Sequence, residues 1–141
     1  MSFTKVWIHA VWATKNRAPV LGKEQRHLLF NHIKDYARGK EIFILCINGH
    51  ADHVHCLFSL HVEISLAKTM QLLKGESAHW ANQQKLVLPK LEWADEYFAA
   101  SVSESVLENV KAYINNQEEH HRKMTFAEEY AMFMEKTGMK K

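Results

Sequence analysis

Apolar and polar positions alternate with two different periods along this chain, and the switches between them divide it into elements. Residues 5–12, Lys-Val-Trp-Ile-His-Ala-Val-Trp, form a β-branched and aromatic run that predicts a first strand. Residues 23–38 place Leu28, Leu29, Ile33, Tyr36 and Ala37 at helical spacing, and Gly39 follows where a helix would end. Residues 41–47 are nearly all apolar and predict a buried strand. A turn at Asn48-Gly49 then leads into a third strand through Leu57, Phe58 and Leu60, as in a hairpin. Residues 65–84 return to helical spacing, with Leu66, Met70, Leu73, Ala78, Trp80 and Ala81 on the apolar side. Residues 86–92, with Pro89, are irregular. Residues 97–102 predict a fourth strand.

The last forty residues read as two helices. Ser103 opens the first, and Ser105-x-x-Glu108 has the form of a capping box, so either serine could start it. Val106, Val110 and Ile114 make its stripe, and the cations of Glu118-Glu119-His120-His121-Arg122-Lys123 suit its C-terminal end. Thr125-x-x-Glu128 is a second capping box. It starts a helix with Phe126, Tyr130, Phe133 and Met134 that closes at Gly138. The order strand, helix, strand, strand, helix, strand predicts an α+β fold, a ferredoxin-like βαββαβ sandwich with an antiparallel sheet, followed by two C-terminal helices. That fold hosts many activities, so function has to be read from a site.

Composition narrows the choice only a little. At 141 residues the chain has the length of one domain, 1–141. The longest apolar run, residues 42–47, is too short to span a bilayer, and no signal pattern opens the chain. Cys46 and Cys56 lie in predicted strands without a Cys-x-x-Cys spacing. They read as buried hydrophobes of a protein in the reducing cytoplasm. A formal net charge of +2 does not itself argue for nucleic acid, so that argument falls to local clusters.

Candidate chemistry sits in Gly49-His50-Ala51-Asp52-His53-Val54-His55-Cys56. In a strand, His53 and His55 project from one face and Val54 from the other, so two imidazoles lie side by side on a rigid backbone, half of a metal site. The same spacing also describes two histidines on an ordinary sheet face. Asp52 is out of phase with the pair and reads as a turn residue or as a partner behind a ligand. His9 shares the sheet and reads as a structural histidine. Lys15 and Arg17, in the connection after the first strand, suit phosphate contacts or a solvated loop equally. Lys68, Lys74 and His79 could form a basic ridge or a solvated helix face.

Three stretches together carry a resemblance over residues 3–135: Trp7 to Leu21, the His53-Val54-His55 segment, and Tyr113-Ile114-Asn115-Asn116-Gln117-Glu118-Glu119-His120-His121. The chain resembles the single-tyrosine HUH transposases of the smallest insertion sequences, close relatives of the REP-associated tyrosine transposases. The resemblance implies that Tyr113 is the catalytic nucleophile and that His53, His55 and the Gln117 carbonyl oxygen hold a divalent metal, Mg²⁺ or Mn²⁺. It implies nicking and rejoining of single-stranded DNA, at hairpin-bearing element ends, through a 5′-phosphotyrosine. It also implies a homodimer in which the tyrosine helix of one subunit serves the His pair of the other. Lys15, Arg17, Lys74, His120, His121, Arg122 and Lys123 are candidate DNA contacts. Three readings stand beside this one: a domesticated single-strand nickase; a non-catalytic nucleic-acid-binding sheet, although the third strand offers Phe58 as its one aromatic; and a small metal-dependent hydrolase of another phosphodiester, for which Tyr113 is incidental.

Overall fold

In the computed structural model, which describes residues 3–139, four antiparallel strands form one sheet in the order β2-β3-β1-β4. The strands are β1 (Trp7–Ala13), β2 (Phe43–His50), β3 (His53–Ser59) and β4 (Phe98–Val102). The helices are α1 (Lys23–Gly39), α2 (Leu66–Gln83), α3 (Leu107–Asn115), α4 (Gln117–His120) and α5 (Phe126–Lys136). The first six of these elements realise the ferredoxin-like order, and α3, α4 and α5 are appended to it.

Strand parity sorts the sheet into two faces with different contents. Ile8, Ala10 and Trp12 of β1 and Val54, Cys56 and Phe58 of β3 point to one face, where Leu29, Ile33 and Ala37 of α1 and Met70, Leu73 and Ala81 of α2 cover them. Burying each of these larger side chains contributes about 1.5–3 kcal/mol relative to exposure. The odd-numbered positions face the other way. There Trp7 and Leu57 pack under Leu107 and Ile114, while Val11 packs with Phe98 of β4 and Phe126 of α5. His9, His53 and His55 share this second face, under the C-terminal helices.

Register fixes how near the histidines come. Val11 of β1 pairs with His55, Ala13 with His53, and His9 with Leu57, so His9 and His55 are diagonal neighbours on one face. On the other side of β3, Gly49 of β2 pairs with Val54. A Cβ at Gly49 would run into the His53 carbonyl oxygen, so the tight β2–β3 turn requires glycine there.

Several sequence expectations shift. The strand expected over 41–47 begins at Phe43 and continues to His50. It is an edge strand rather than a buried one: Phe43 is 59% exposed, and no strand among the described residues pairs with its outer side. In α1, Leu28 is 51% exposed while Phe30 and Arg26 are buried. The Arg26 guanidinium earns its buried position by donating to the Leu21 carbonyl and reaching Glu118. The helix expected to run to residue 123 breaks at Asn116, and Asn48 Nδ2 donates to the Ile114 carbonyl at 3.0 Å beside the break. Neither serine provides a side-chain cap for α3; a 3₁₀ turn over Glu104–Val106 leads in, and the Ser103 and Ser105 hydroxyls bond each other. The second capping box forms as expected, with Thr125 and Glu128 reciprocally bonded. Cys46 and Cys56 are free, buried thiols, and burial pushes both up, Cys46 to about 11. No helix among the described residues is long and apolar enough to cross a membrane.

Candidate active site

Strand β3 and helices α3, α4 and α5, with His121 just after α4, aim seven polar side chains at one point. His53 and His55 both direct Nε2 away from the sheet. Behind His53, Nδ1 meets Asp52 Oδ1 at 2.8 Å; behind His55, Nδ1 meets His9 Nε2 at 2.9 Å. Asp52 manages this despite its parity because it lies in the turn, outside β3. With Nδ1–H donated to Asp52, the Nε2 proton that His53 points at Glu129 is the one it would give up to ligate a metal.

The third and fourth groups come from the C-terminal helices. Gln117 is fully buried, and its Oε1 lies 3.1 Å from His53 Nε2 and 3.0 Å from His121 Nε2. The break at Asn116 leaves Tyr113 and Gln117 together: the Gln117 amide donates to the Tyr113 carbonyl, and both side chains turn to the sheet. Glu129 of α5, unremarked in the sequence, completes the cluster. Its Oε1 lies 3.1 Å from His55 Nε2, 3.3 Å from His53 Nε2 and 3.3 Å from His121 Nε2. Its Oε2 accepts the Tyr113 hydroxyl and lies 3.3 Å from His120 Nε2. The Tyr113 hydroxyl also sits 3.0 Å from His120 Nε2.

His53, His55 and Glu129 bring three ligand atoms within 4.8 Å of one another. Ligand atoms about 2.1 Å from a common divalent ion stand roughly 3–3.5 Å apart, so the carboxylate-to-imidazole distances here fit such an ion. Gln117 Oε1, on the same side of His53, is a further oxygen donor. The mixed set of imidazole nitrogen, carboxylate and amide oxygen can hold a divalent ion.

Charge is distributed unevenly in this cluster. Burial pushes the His55 imidazole down to about 4, against the attraction of Glu129. Burial and the neighbouring His55 push His9 down to about 3. Burial also opposes charge on His53, but hydrogen bonds to Asp52 and Glu129 outweigh it and raise that imidazole. Burial would raise the Glu129 carboxyl, yet hydrogen bonds from His121, His53 and His55 hold it far below the usual carboxylate range. Burial and the Glu129 carboxylate together push the Tyr113 phenol well up, so in this arrangement it keeps its proton.

The candidate DNA contacts divide. His120 and His121 belong to the cluster itself. Arg17 lies over the Phe126 ring, 5.7 Å from its centroid, and Phe126 in turn stacks on His53 at 4.2 Å, so Arg17 rims the site. Lys15 pairs with Glu92, and Arg122 with Glu119, both near the surface. Lys123 is exposed. Lys74 is spent on structure: its ammonium donates to the Ala94 and Asp95 carbonyls and ties α2 to the segment before β4.

The chain is similar to known proteins over most of its length. A family model described as "Transposase IS200 like" matches residues 2–117, from the chain's start through the tyrosine and the glutamine. The chain is 26% identical over 117 residues to the ISDra2 transposase TnpA of Deinococcus radiodurans, covering 77% of this chain and 81% of that protein. It is also similar to a crystal structure from Deinococcus radiodurans R1 assigned to a transposase, with a TM-score of 0.64 and 26% identity over 82% of this chain and 93% of that one. The REP-associated tyrosine transposase bound to a REP hairpin shares the fold, with a TM-score of 0.54 and 15% identity over 81% of this chain and 66% of that one. With most of its length matched, including the strands that carry the histidines and the helix that carries Tyr113, the chain belongs to the IS200-like transposases, enzymes that act on DNA.

Proposed function

We propose that this transposase nicks and rejoins single-stranded DNA with Tyr113 as the nucleophile and His53, His55 and Gln117 as ligands of a divalent ion, the whole chain working as one domain. One observation carries the reading: the Tyr113 hydroxyl and the two Nε2 atoms of the histidine pair touch opposite oxygens of a single carboxylate, Glu129. Nucleophile and metal ligands thus lie one small oxyanion apart, the separation that a phosphodiester between them would need.

The residues have distinct tasks. Asp52 and His9 hold the two imidazoles in orientation from behind. Gln117 contributes a neutral oxygen from the turn of helix after Tyr113, so one segment delivers ligand and nucleophile together. A divalent ion held there would polarise the scissile phosphate and offset its developing charge. Tyr113 Oη then attacks phosphorus. A Tyr–O–P bond forms and the P–O3′ bond breaks; the phenol gives up a proton and the departing 3′ oxygen gains one. A phosphodiester is exchanged for a phosphodiester, so rejoining needs no nucleotide triphosphate. His120, 3.0 Å from the phenolic oxygen, is placed to hold that oxygen in line.

Single-stranded DNA at hairpin-bearing element ends is the proposed substrate, supported by membership in a transposase family and by a fold neighbour that binds a REP hairpin. A homodimer with the tyrosine helix acting in trans is proposed as the assembled state. In the single chain the Tyr113 ring lies beside its own His55, 5.8 Å between centroids, so the trans state requires the helix to change partners. The test of the nucleophile is incubation with oligonucleotides and Mn²⁺ followed by denaturing electrophoresis. A shifted, protease-sensitive DNA band is expected with the native chain and its absence with Tyr113→Phe; an equal band with that variant overturns the assignment.

A further inference from the structure

The site as it stands has no route for DNA. His53, His55, Gln117 and Glu129 all have zero exposure, and α5 is what closes them off. Phe126 stacks on His53, and Phe133 packs against His9, His55 and Tyr113. Between these rings α5 inserts Glu129. Its carboxylate does to the site what a phosphate would do: one oxygen meets both histidines of the pair, the other meets the nucleophile's hydroxyl. A phosphorus poised for attack must sit about 3–3.5 Å from the phenolic oxygen. The Glu129 carboxyl group fills that volume.

The attachment of α5 is of a kind that can be undone. It rests on a small cluster of its own, Val11, Phe98 and Phe126 with Tyr130, Phe133 and Met134 around them. The larger core under α1 and α2 lies on the opposite face of the sheet and does not involve it. The match to the family ends at residue 117, so the shared catalytic segment stops before α5 begins. The helix is capped at an exposed box, Thr125 with Glu128, away from the site's chemistry.

We propose that α5 and the DNA backbone compete for one place: Glu129 stands in for the scissile phosphate, and α5 lifts from the sheet when single-stranded DNA enters. The proposal rests on the reading of Tyr113 and the histidine pair given above. When α5 leaves, the phosphate oxygens take over the contacts of Glu129, and Gln117 stays as the protein's own oxygen ligand. Apparent DNA affinity is then the intrinsic affinity multiplied by the fraction of chains with α5 undocked, so loosening α5 tightens binding without touching a DNA contact.

Hydrogen exchange of the full chain, read by mass spectrometry with chelator present, tests this without cleavage. The probe is a stem-loop oligonucleotide with a randomised single-stranded flank. Peptides covering α5 are expected to lose protection on adding the probe, while those of α1 and β1 keep theirs. Thr125→Ala is expected to tighten binding of the probe by a few-fold and Phe133→Ala by about tenfold, measured by fluorescence anisotropy. Unchanged or weaker binding by both variants, with native circular dichroism, overturns the proposal. Protection of α5 that persists in the complex also overturns it and leaves Glu129 as a permanent ligand, and so does failure of native and variant chains alike to bind. Adduct formation is followed on parallel samples with Mn²⁺ in place of chelator: release of α5 without any adduct on Tyr113 refutes the nucleophile and leaves the competition standing.

Discussion

Tyr113 is held by a carboxylate that disfavours its ionisation, so the proposed nucleophile would become reactive only once that carboxylate is replaced. Tyr113→Phe removes one oxygen and no packing surface; DNA affinity should be retained while strand cleavage falls by at least about 10³-fold, measured in single-turnover assays. Asp52 acts one step further back. Asp52→Ala should leave the fold intact and weaken Mn²⁺ binding by roughly 10–100-fold in calorimetric titration, since the imidazole then loses the partner that fixes its tautomer. An unchanged affinity would show that the turn backbone alone orients His53. The strand period made His53 and His55 legible as a pair, whereas Tyr113 and Gln117 stood out only through the family resemblance of residues 113–121. Glu129 has no such signature. It sits in an amphipathic helix seventy-odd positions from the pair it meets, at a position that looks like any polar helix residue until the helix is seen to dock. His9 was readable as a sheet histidine, but its role behind His55 depends on a register that no single strand encodes.

The β2–β3 hairpin and the segment from α3 to α4 are the two elements that set the geometry. Gly49→Ala puts a methyl group against the His53 backbone; a loss of about 1–3 kcal/mol in urea denaturation is expected, with cleavage reduced at temperatures where the variant is still folded. Retention of native stability would mean that the hairpin can open there without cost. The periodicities located these elements well because strands with a buried face and helices with a buried stripe write their environment into every second or every third and fourth residue. They failed where a tertiary contact decided. β2 looked buried from its composition but lies at an edge. The helix breaks at Asn116, beside the Ile114 carbonyl to which Asn48 of β2 donates.

For the molecule as a whole, the two histidines kept neutral by burial make stability depend on pH. His55 and His9 have folded values of about 4 and about 3, below the ordinary 6.5. The unfolded chain therefore takes up protons below pH 6.5 that the folded chain refuses, and stability falls as pH drops from 6.5 toward 4. Each contributes a slope of up to about 1.4 kcal/mol per pH unit. His53, whose value is raised, is protonated in both states below 6.5 and adds no slope in this window. Urea midpoints of the metal-free protein between pH 7 and pH 4 should fall accordingly; a flat profile would mean that the cluster opens to water. The trans arrangement is tested by mixing. Co-expressed Tyr113→Phe and His55→Ala, each inactive alone, should regain part of the cleavage in a heterodimer with trans sites, because one of its two sites then has every group; a demonstrated heterodimer with no activity contradicts trans sites. The central claim, a covalent tyrosine enzyme, is tested most directly by intact-protein and peptide mass spectrometry after reaction with a single-stranded oligonucleotide in Mn²⁺. The account predicts a mass increase equal to the fragment 3′ of the cut, joined through its 5′ phosphate to the peptide holding Tyr113, and a free 3′-OH on the other fragment. Cleaved DNA with no mass added to the protein, or an adduct on any other residue, would contradict it.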